Sequence, residues 1–226
     1  MNKKFYQIAI DGPSGVGKST LAKALSAELG FVYVDTGAIY RAVGLYAQYN
    51  GIDPQDEKTL SEHFCKIDID LRWIDGVQRI YLSDKDVSDE IRTPKSSMYA
   101  SAVSALPAVR AFLLDMQRSI ASKNSVIMDG RDIGTVILPN ADVKLFMCAD
   151  EISRAQRRYK ELIEKGQCVT FDDVLLDMKK RDYNDSTRST APLVPAEDAV
   201  MFDNSNLDIE GTVREAKKII MEKISL

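Results

Sequence analysis

With 226 residues and 45% hydrophobic content, the chain is long enough for one core carrying inserted subdomains, and its composition is that of a globular protein. A net charge of −4 argues against broad binding to nucleic-acid polymers or membrane surfaces, so local arginine clusters imply a small anionic ligand or a solvated face. No apolar run approaches the ~20 residues of a membrane span and the start lacks a signal-peptide profile. Cys65, Cys148 and Cys168, with His63 the only histidine, make no zinc pattern, so reduced thiols in a cytoplasmic protein are expected.

In chain order, the first informative stretch is Ile8 to Thr20, IAIDGPSGVGKST. It fits the P-loop pattern GxxxxGK[ST] in the required context: Tyr6, Ile8 and Ile10 predict a short strand before it, and Leu21, Ala24, Leu25 and Leu29 recur at helical spacing after it. Glycines allow successive backbone N–H groups to point inward at phosphate oxygens, and the helix beginning near Lys18 aims its dipole at the same anion. Lys18 can then reach β- and γ-phosphates and the Ser19 hydroxyl can ligate Mg²⁺. A bound nucleoside triphosphate is the expectation.

Gly30 predicts a helix end, and Phe31 to Val34 a buried strand. Asp35-Thr36-Gly37-Ala38-Ile39-Tyr40-Arg41 follows, with Thr36 read as the cap of the next helix and Arg41 near the carboxyl end of the strand. His63 sits in no nucleophile-elbow pattern, which leaves phosphoryl transfer better supported than a histidine-dependent hydrolase. Residues 66 to 87 alternate with period two about Asp75-Gly76, predicting an inserted antiparallel hairpin. A helix from about Lys95 carries Ser101, and Pro107 opens another that carries Arg110. Ser125 to Met128 predicts a strand ending in Asp129-Gly130-Arg131-Asp132; a carboxylate in that place organises Mg²⁺ and its waters in P-loop proteins. Val143 to Cys148 is the next strand.

Arg154, Arg157, Arg158 and Glu161 share one helix face. Thr170-Phe171-Asp172-Asp173 resembles a capping box that opens a helix ending in the stretch Lys180 to Arg188, and if the helix persists, Arg181, Asp185 and Arg188 share one face at i, i+4 and i+7. Two arginines beside an acid suit a phosphate plus a sugar hydroxyl, and equally a salt-bridged helix end. Asp198 to Asp203 predicts the last strand and Ile209 to Ile224 a final amphipathic helix.

Taken together, IDGPSGVGKST, VDTGAIYRA, the hairpin insert, VIMDGRDIGTVILPNA and RDYNDSTRSTAPL resemble the bacterial cytidylate kinase family of nucleoside monophosphate kinases along essentially the whole chain. The resemblance implies an α/β P-loop kinase fold: a five-stranded parallel sheet with helices on both faces, the strand of Met128 beside the P-loop strand, a monophosphate-binding insert with a small antiparallel sheet, and a helical lid. The implied division is core 1–37, monophosphate-binding subdomain 38–106, core 107–152, lid 153–184 and core 185–226. The implied reaction is Mg²⁺-dependent transfer of the ATP γ-phosphoryl group to CMP or dCMP, by a monomer.

The resemblance assigns Gly12, Pro13, Ser14, Gly15, Val16, Gly17, Lys18, Ser19 and Thr20 to ATP, with Ser19 on Mg²⁺ and Asp129 acting through water. It puts Arg41, Arg131 and Arg188 around the monophosphate, Arg181 and Asp185 near phosphate and ribose, and Thr36 and Tyr40 in the same substrate site. Ser101, Arg110 and Asp132 would read the cytosine edge. Lys18, Arg131 and Arg188 are the expected catalytic groups with Arg157 and Arg158 of the lid, Arg154 lying on the same face. Kinases for UMP or for a metabolite such as shikimate share the loop and lid but should lack the Ser101, Arg110 and Asp132 set. A GTPase switch requires an NKxD segment, which the sequence does not contain.

Overall fold

In the computed structural model, residues 5–164 and 166–224 are described. Strand β1 (Gln7–Asp11) leads through the P-loop into α1 (Lys18–Leu29), and β2 (Val32–Asp35) into α2 (Thr36–Tyr49). After α3 (Glu57–Glu62), the chain forms β3 (Ile69–Ile74), β4 (Val77–Leu82) and a two-residue β5 (Lys85–Asp86), then α4 (Pro94–Ser104) and α5 (Pro107–Lys123). Strand β6 (Val126–Gly130) and a single π-helical turn (Ile133–Ile137) precede β7 (Val143–Cys148). Helices α6 (Glu151–Glu164) and α7 (Phe171–Thr187), strand β8 (Val200–Asp203) and α8 (Ile209–Lys223) complete the chain.

The large sheet is parallel throughout, in the order β2-β6-β1-β7-β8. The Met128 strand thus lies beside the P-loop strand, as expected. Alternation along β1 sends Ile8 and Ile10 to one face, with Leu21, Leu25, Leu145 and Ile220, and Ala9 to the other, with Val34, Met128 and Ile133. Helices therefore cover both faces, as the hydrophobicity of a two-sided parallel sheet requires. Register aligns Asp35 and Ile10 with Asp129, so three strands end together in the acids Asp11, Asp35 and Asp129. Open α/β sheets bind ligands at this carboxyl edge.

The insert is built around Asp75-Gly76, both with positive φ (52° and 75°), as a two-residue hairpin turn between twisted strands demands. Its sheet, in the order β3-β4-β5, gains a third short strand beyond the expected hairpin. Ile80 joins Ile39, Val43, Leu60, Ile91, Val103 and Leu113 in a separate core, which ties α2, α4 and α5 to the insert. Gly30, at φ 68°, ends α1 as expected. Thr36 does not cap α2. That role belongs to Asp35, whose carboxylate accepts from the Ala38 N–H at 2.9 Å, while Thr36 is the first helical residue. Thr170 does cap α7, accepting from the Asp173 N–H.

Among the described residues no single helix is long and apolar enough to cross a membrane. Only α4 and α5 together pass on length and composition, and they meet at a 96° bend with Val103, Val109 and Leu113 in the insert's core.

Candidate active site

The P-loop takes its curvature from glycine. Gly12, Gly15 and Gly17 all have positive φ, and a Cβ on Gly12 would overlap the Met147 carbonyl of β7. Gly17 immediately precedes α1, so the first-turn N–H groups of that helix face the loop, with Lys18 at its first position. The Lys18 ammonium is buried and donates to the Gly12 and Pro13 carbonyls, both at 2.7 Å. Burial, and then the guanidinium of Arg131, hold its pKa well below the ordinary lysine value. An incoming polyphosphate would reverse both effects by supplying negative charge.

Beside it, Ser19 Oγ donates to Asp129 Oδ2 at 2.7 Å and the Tyr33 hydroxyl donates to Asp129 Oδ1 at 3.0 Å. Burial, reinforced by Asp35, pushes the Asp129 carboxyl up to about 6. A hydroxyl beside a buried carboxylate without a direct cationic partner among the described residues is an oxygen donor pair that suits Mg²⁺. No group of three or more His, Cys, Asp or Glu that could hold a metal occurs among the described residues. Magnesium held by a hydroxyl, water and phosphate oxygens does not require one. Asp11, also pushed up to about 6 by burial, accepts from the Ile133 and Gly134 N–H groups and so shapes the turn after β6.

Helices α6 and α7 pack through Ala155, Leu162, Val174 and Met178, and rest directly on the P-loop. A Cβ on Gly15 would lie 2.7 Å from Met178 Cε and 3.0 Å from the Arg154 carbonyl. Asp182 of α7 accepts from the Ser14 N–H at 2.9 Å and pairs with Arg154, which also donates to the Ser14 carbonyl. The arginines of the predicted basic face have separate destinations. Arg154 is buried on the P-loop, Arg157 donates to Asn204 after β8, and Arg158 pairs with Glu161 on its own helix. Asn204 in turn donates to the Val16 carbonyl, so Arg157 reaches the loop through one intermediary.

The second half of the site is a cavity lined by Thr36, Tyr40, Ser101, Arg110, Arg131, Asp132, Arg181, Asp185 and Arg188. These residues come from α2, α4, α5, the end of β6 and α7. Arg41 is not in the lining. It stands behind Gly37, which does line the cavity, and pairs with Asp35 at 2.9 Å. Arg110 forms a short ion pair with Asp132 and donates to the Ser104 carbonyl; Arg188 stands 3.5 Å from Asp132. Arg131 pairs with Asp185 at 2.8 Å. Burial would raise the Asp185 carboxyl, but Arg131 and Arg181 hold it below its ordinary value.

Several donors around this cavity make no hydrogen bond, although Arg188 Nη2 keeps its ion pair with Asp132. Arg41 Nε, Arg181 Nε and Arg188 Nη2 are buried without a hydrogen-bond acceptor among the described residues. Arg181 is pushed down to about 10 by burial and by the like charge of Arg131, with Arg41 adding to it. Four guanidiniums of the lining (Arg110, Arg131, Arg181, Arg188) face two carboxylates (Asp132, Asp185), an excess of two positive charges, while Arg41 behind them is balanced by Asp35. A phosphate monoester, with about 1.5–2 negative charges at neutral pH, balances that excess.

The sequence pattern alone did not single out Asp11, Tyr33, Asp35, Ser104, Asp182 or Asn204. Asp11 had a signal, since β1 ends in Asp-Gly just as β6 does. Asp182 had another, lying four residues beyond Met178 on the face of α7 that meets the P-loop.

The cytidylate kinase family model matches residues 8–222. A cytidylate kinase from Caldicellulosiruptor bescii is 46% identical over 221 residues, covering 98% of each chain. One from Lactobacillus johnsonii is 46% identical over 217 residues, covering 96% of this chain and 94% of its own. Among solved structures, an uncharacterised protein from Eubacterium ventriosum superposes with TM-score 0.52 at 16% identity, covering 97% of this chain and 99% of its own, a likeness of fold alone. The P-loop, the arginine-lined cavity beside it and the match across nearly the whole length agree: the chain belongs to the cytidylate kinase family.

Proposed function

We propose that the protein is a CMP and dCMP kinase that transfers the γ-phosphoryl group of ATP to the acceptor monophosphate, releasing ADP and CDP or dCDP. The observation that carries the acceptor half is the set of buried guanidinium donors without a hydrogen bond, around a lining with a net excess of two positive charges. ATP lies with its phosphates in the P-loop from Gly12 to Thr20. The Ser19 hydroxyl and the Asp129 carboxylate beside it would hold Mg²⁺, which when bound would supply charge neutralisation to the phosphates. The proposed division into core, insert and lid follows the elements that supply each part of the site.

The attacking oxygen belongs to an ionised phosphate, so no general base is required. The obstacle is repulsion between two polyanions, and the work of the protein is to offset it with fixed cations in a water-excluded site. Arg131 is the central group, because it follows directly on β6 and lies close enough to Lys18 to depress its pKa. It therefore stands between donor and acceptor. Arg188, Arg181 and Arg41 complete the acceptor cradle, Asp185 orients Arg131 and faces the sugar, and Thr36 and Tyr40 form the wall. Arg154 keeps the lid seated on the loop, while Arg157 and Arg158, held here by Asn204 and Glu161, would have to turn from those partners to stabilise the transferring group. Ser101, Arg110 and Asp132 read the base.

Single changes of Arg41, Arg131 and Arg188 to alanine test the cradle. A charge-assisted hydrogen bond is worth about 1.5–3 kcal/mol, so the KM for CMP should rise roughly tenfold or more and kcat should fall. The KM for ATP should change little. Steady-state kinetics with each substrate varied separately measures both. A variant that weakens ATP and spares CMP would assign that arginine to the donor instead.

A further inference from the structure

We infer that Gln78, on the inserted hairpin, is a positioning residue for the acceptor phosphate, acting through Asp35 on Arg41. This rests on the reading of Arg41 as an acceptor-phosphate group. Strand β2 is the outer strand of the large sheet, so its free edge would leave backbone groups unpaired. The insert covers that edge with two side chains. Trp73 Nε1 donates to the Tyr33 carbonyl at 3.0 Å, and Gln78 Oε1 accepts from the Asp35 N–H at 2.8 Å. Trp73 and Gln78 face each other across the β3–β4 ladder, and Tyr33 and Asp35 are two residues apart on one edge, so the two contacts match in spacing.

The Gln78 amide closes the edge at Asp35 on both sides, accepting from its N–H and donating to its carbonyl at 3.5 Å, and so fixes the backbone from which the Asp35 side chain projects. The Asp35 carboxylate has two tasks: Oδ1 accepts from the Ala38 N–H and starts α2, and Oδ2 accepts from Arg41 Nη2 at 2.9 Å. Its backbone is therefore held by the insert while its side chain holds the arginine. Arg41 keeps a buried Nε without an acceptor among the described residues, and a Cβ on Gly37 would come within 3.3 Å of its Nη1. The guanidinium is tied to the Asp35 carboxylate, so a shift of Asp35 moves it. Gln78 itself is 8% exposed, hence its amide is replaced by water only if the hairpin lifts.

The test is steady-state kinetics of Gln78→Met, which keeps length and apolar bulk but accepts no backbone hydrogen bond, beside Gln78→Ala, Arg41→Ala and the Gln78→Met/Arg41→Ala double variant. The KM for CMP should rise about tenfold in Gln78→Met, the scale of one misplaced charge-assisted contact. The KM for ATP should stay within about twofold, and the double variant should resemble Arg41→Ala alone, because both act on one contact. The inference is overturned if Arg41→Ala raises the KM for CMP but neither Gln78 variant does. It is equally overturned if the two effects multiply, or if CMP and ATP weaken together as in a loosened fold. If Arg41→Ala leaves the KM for CMP unchanged, the acceptor reading of Arg41 has failed, and the role of Gln78 falls with it.

Discussion

Lys18→Met should lower kcat by about a thousandfold or more while the protein remains folded. The ammonium is buried against the Gly12 and Pro13 carbonyls, and methionine matches the lysine stem in length. The structural loss is two hydrogen bonds, about 1–3 kcal/mol for the groups left unpaired. On the proposed reading the catalytic loss is larger, because the ammonium would meet charge on the β- and γ-phosphates in a site closed to water. Removing one preorganised donor in such a site costs about 10²–10³ in rate, and here the donor carries full charge. Burial and the like charge of Arg131 depress the Lys18 pKa, and an incoming polyanion would oppose that depression. ADP release measured beside a thermal melt separates the two effects. Turnover near that of the parent would remove the P-loop lysine from the mechanism.

Asp132→Asn should narrow the ratio of kcat/KM for CMP over UMP, chiefly by weakening CMP by about ten- to a hundredfold. Cytosine presents an amine donor beside a ring-nitrogen acceptor, where uracil presents an oxygen beside an N–H. An ionised Asp132 only accepts, Arg110 only donates, and Ser101 can do either. That combination fits cytosine and leaves a carboxylate facing a lone pair in uracil. The partners of Asp132 are Arg110, in a short ion pair, and Arg188 at 3.5 Å; Arg131 pairs with Asp185 instead. The substitution therefore also breaks a buried ion pair, which costs about 3–5 kcal/mol when one partner is removed. The ratio is the informative quantity, since a loss of folded protein scales both substrates equally. An unchanged ratio with lowered stability would reduce Asp132 to a structural counter-ion.

Legibility followed sequence distance. The P-loop could be read because its strand, glycines, lysine and helix are contiguous. The hairpin could be read because Asp75-Gly76 lies between two alternating runs. Contacts across the sheet could not. The spacing of Arg181 and Asp185 is visible on one helix, with Arg188 just past its end, but that Asp185 serves Arg131 depends on α7 crossing the end of β6. Thr36 looked like a cap because threonine caps helices. Its hydroxyl instead donates to the Asp129 carbonyl at 2.8 Å, a bond set by the register of β2 on β6. The basic face of α6 is periodic in sequence, yet Arg154, Arg157 and Arg158 meet three different neighbours at three positions along the helix. Which edge the hairpin covers was equally out of reach, since Trp73 and Gln78 carry no local sign of Tyr33 or Asp35.

On the proposed function the arginine-lined cavity accepts cytidine or deoxycytidine monophosphate. The direct measurement is ATP-dependent ADP release with CMP, dCMP, UMP, AMP and shikimate supplied separately at matched concentrations. CMP and dCMP should turn over with the highest kcat/KM, with UMP at least about tenfold lower, the scale of one mismatched buried polar contact, and AMP and shikimate near background. Equal or better use of UMP would contradict the base reading by Ser101, Arg110 and Asp132. Preferential use of shikimate would contradict the assignment of the cavity to a nucleotide.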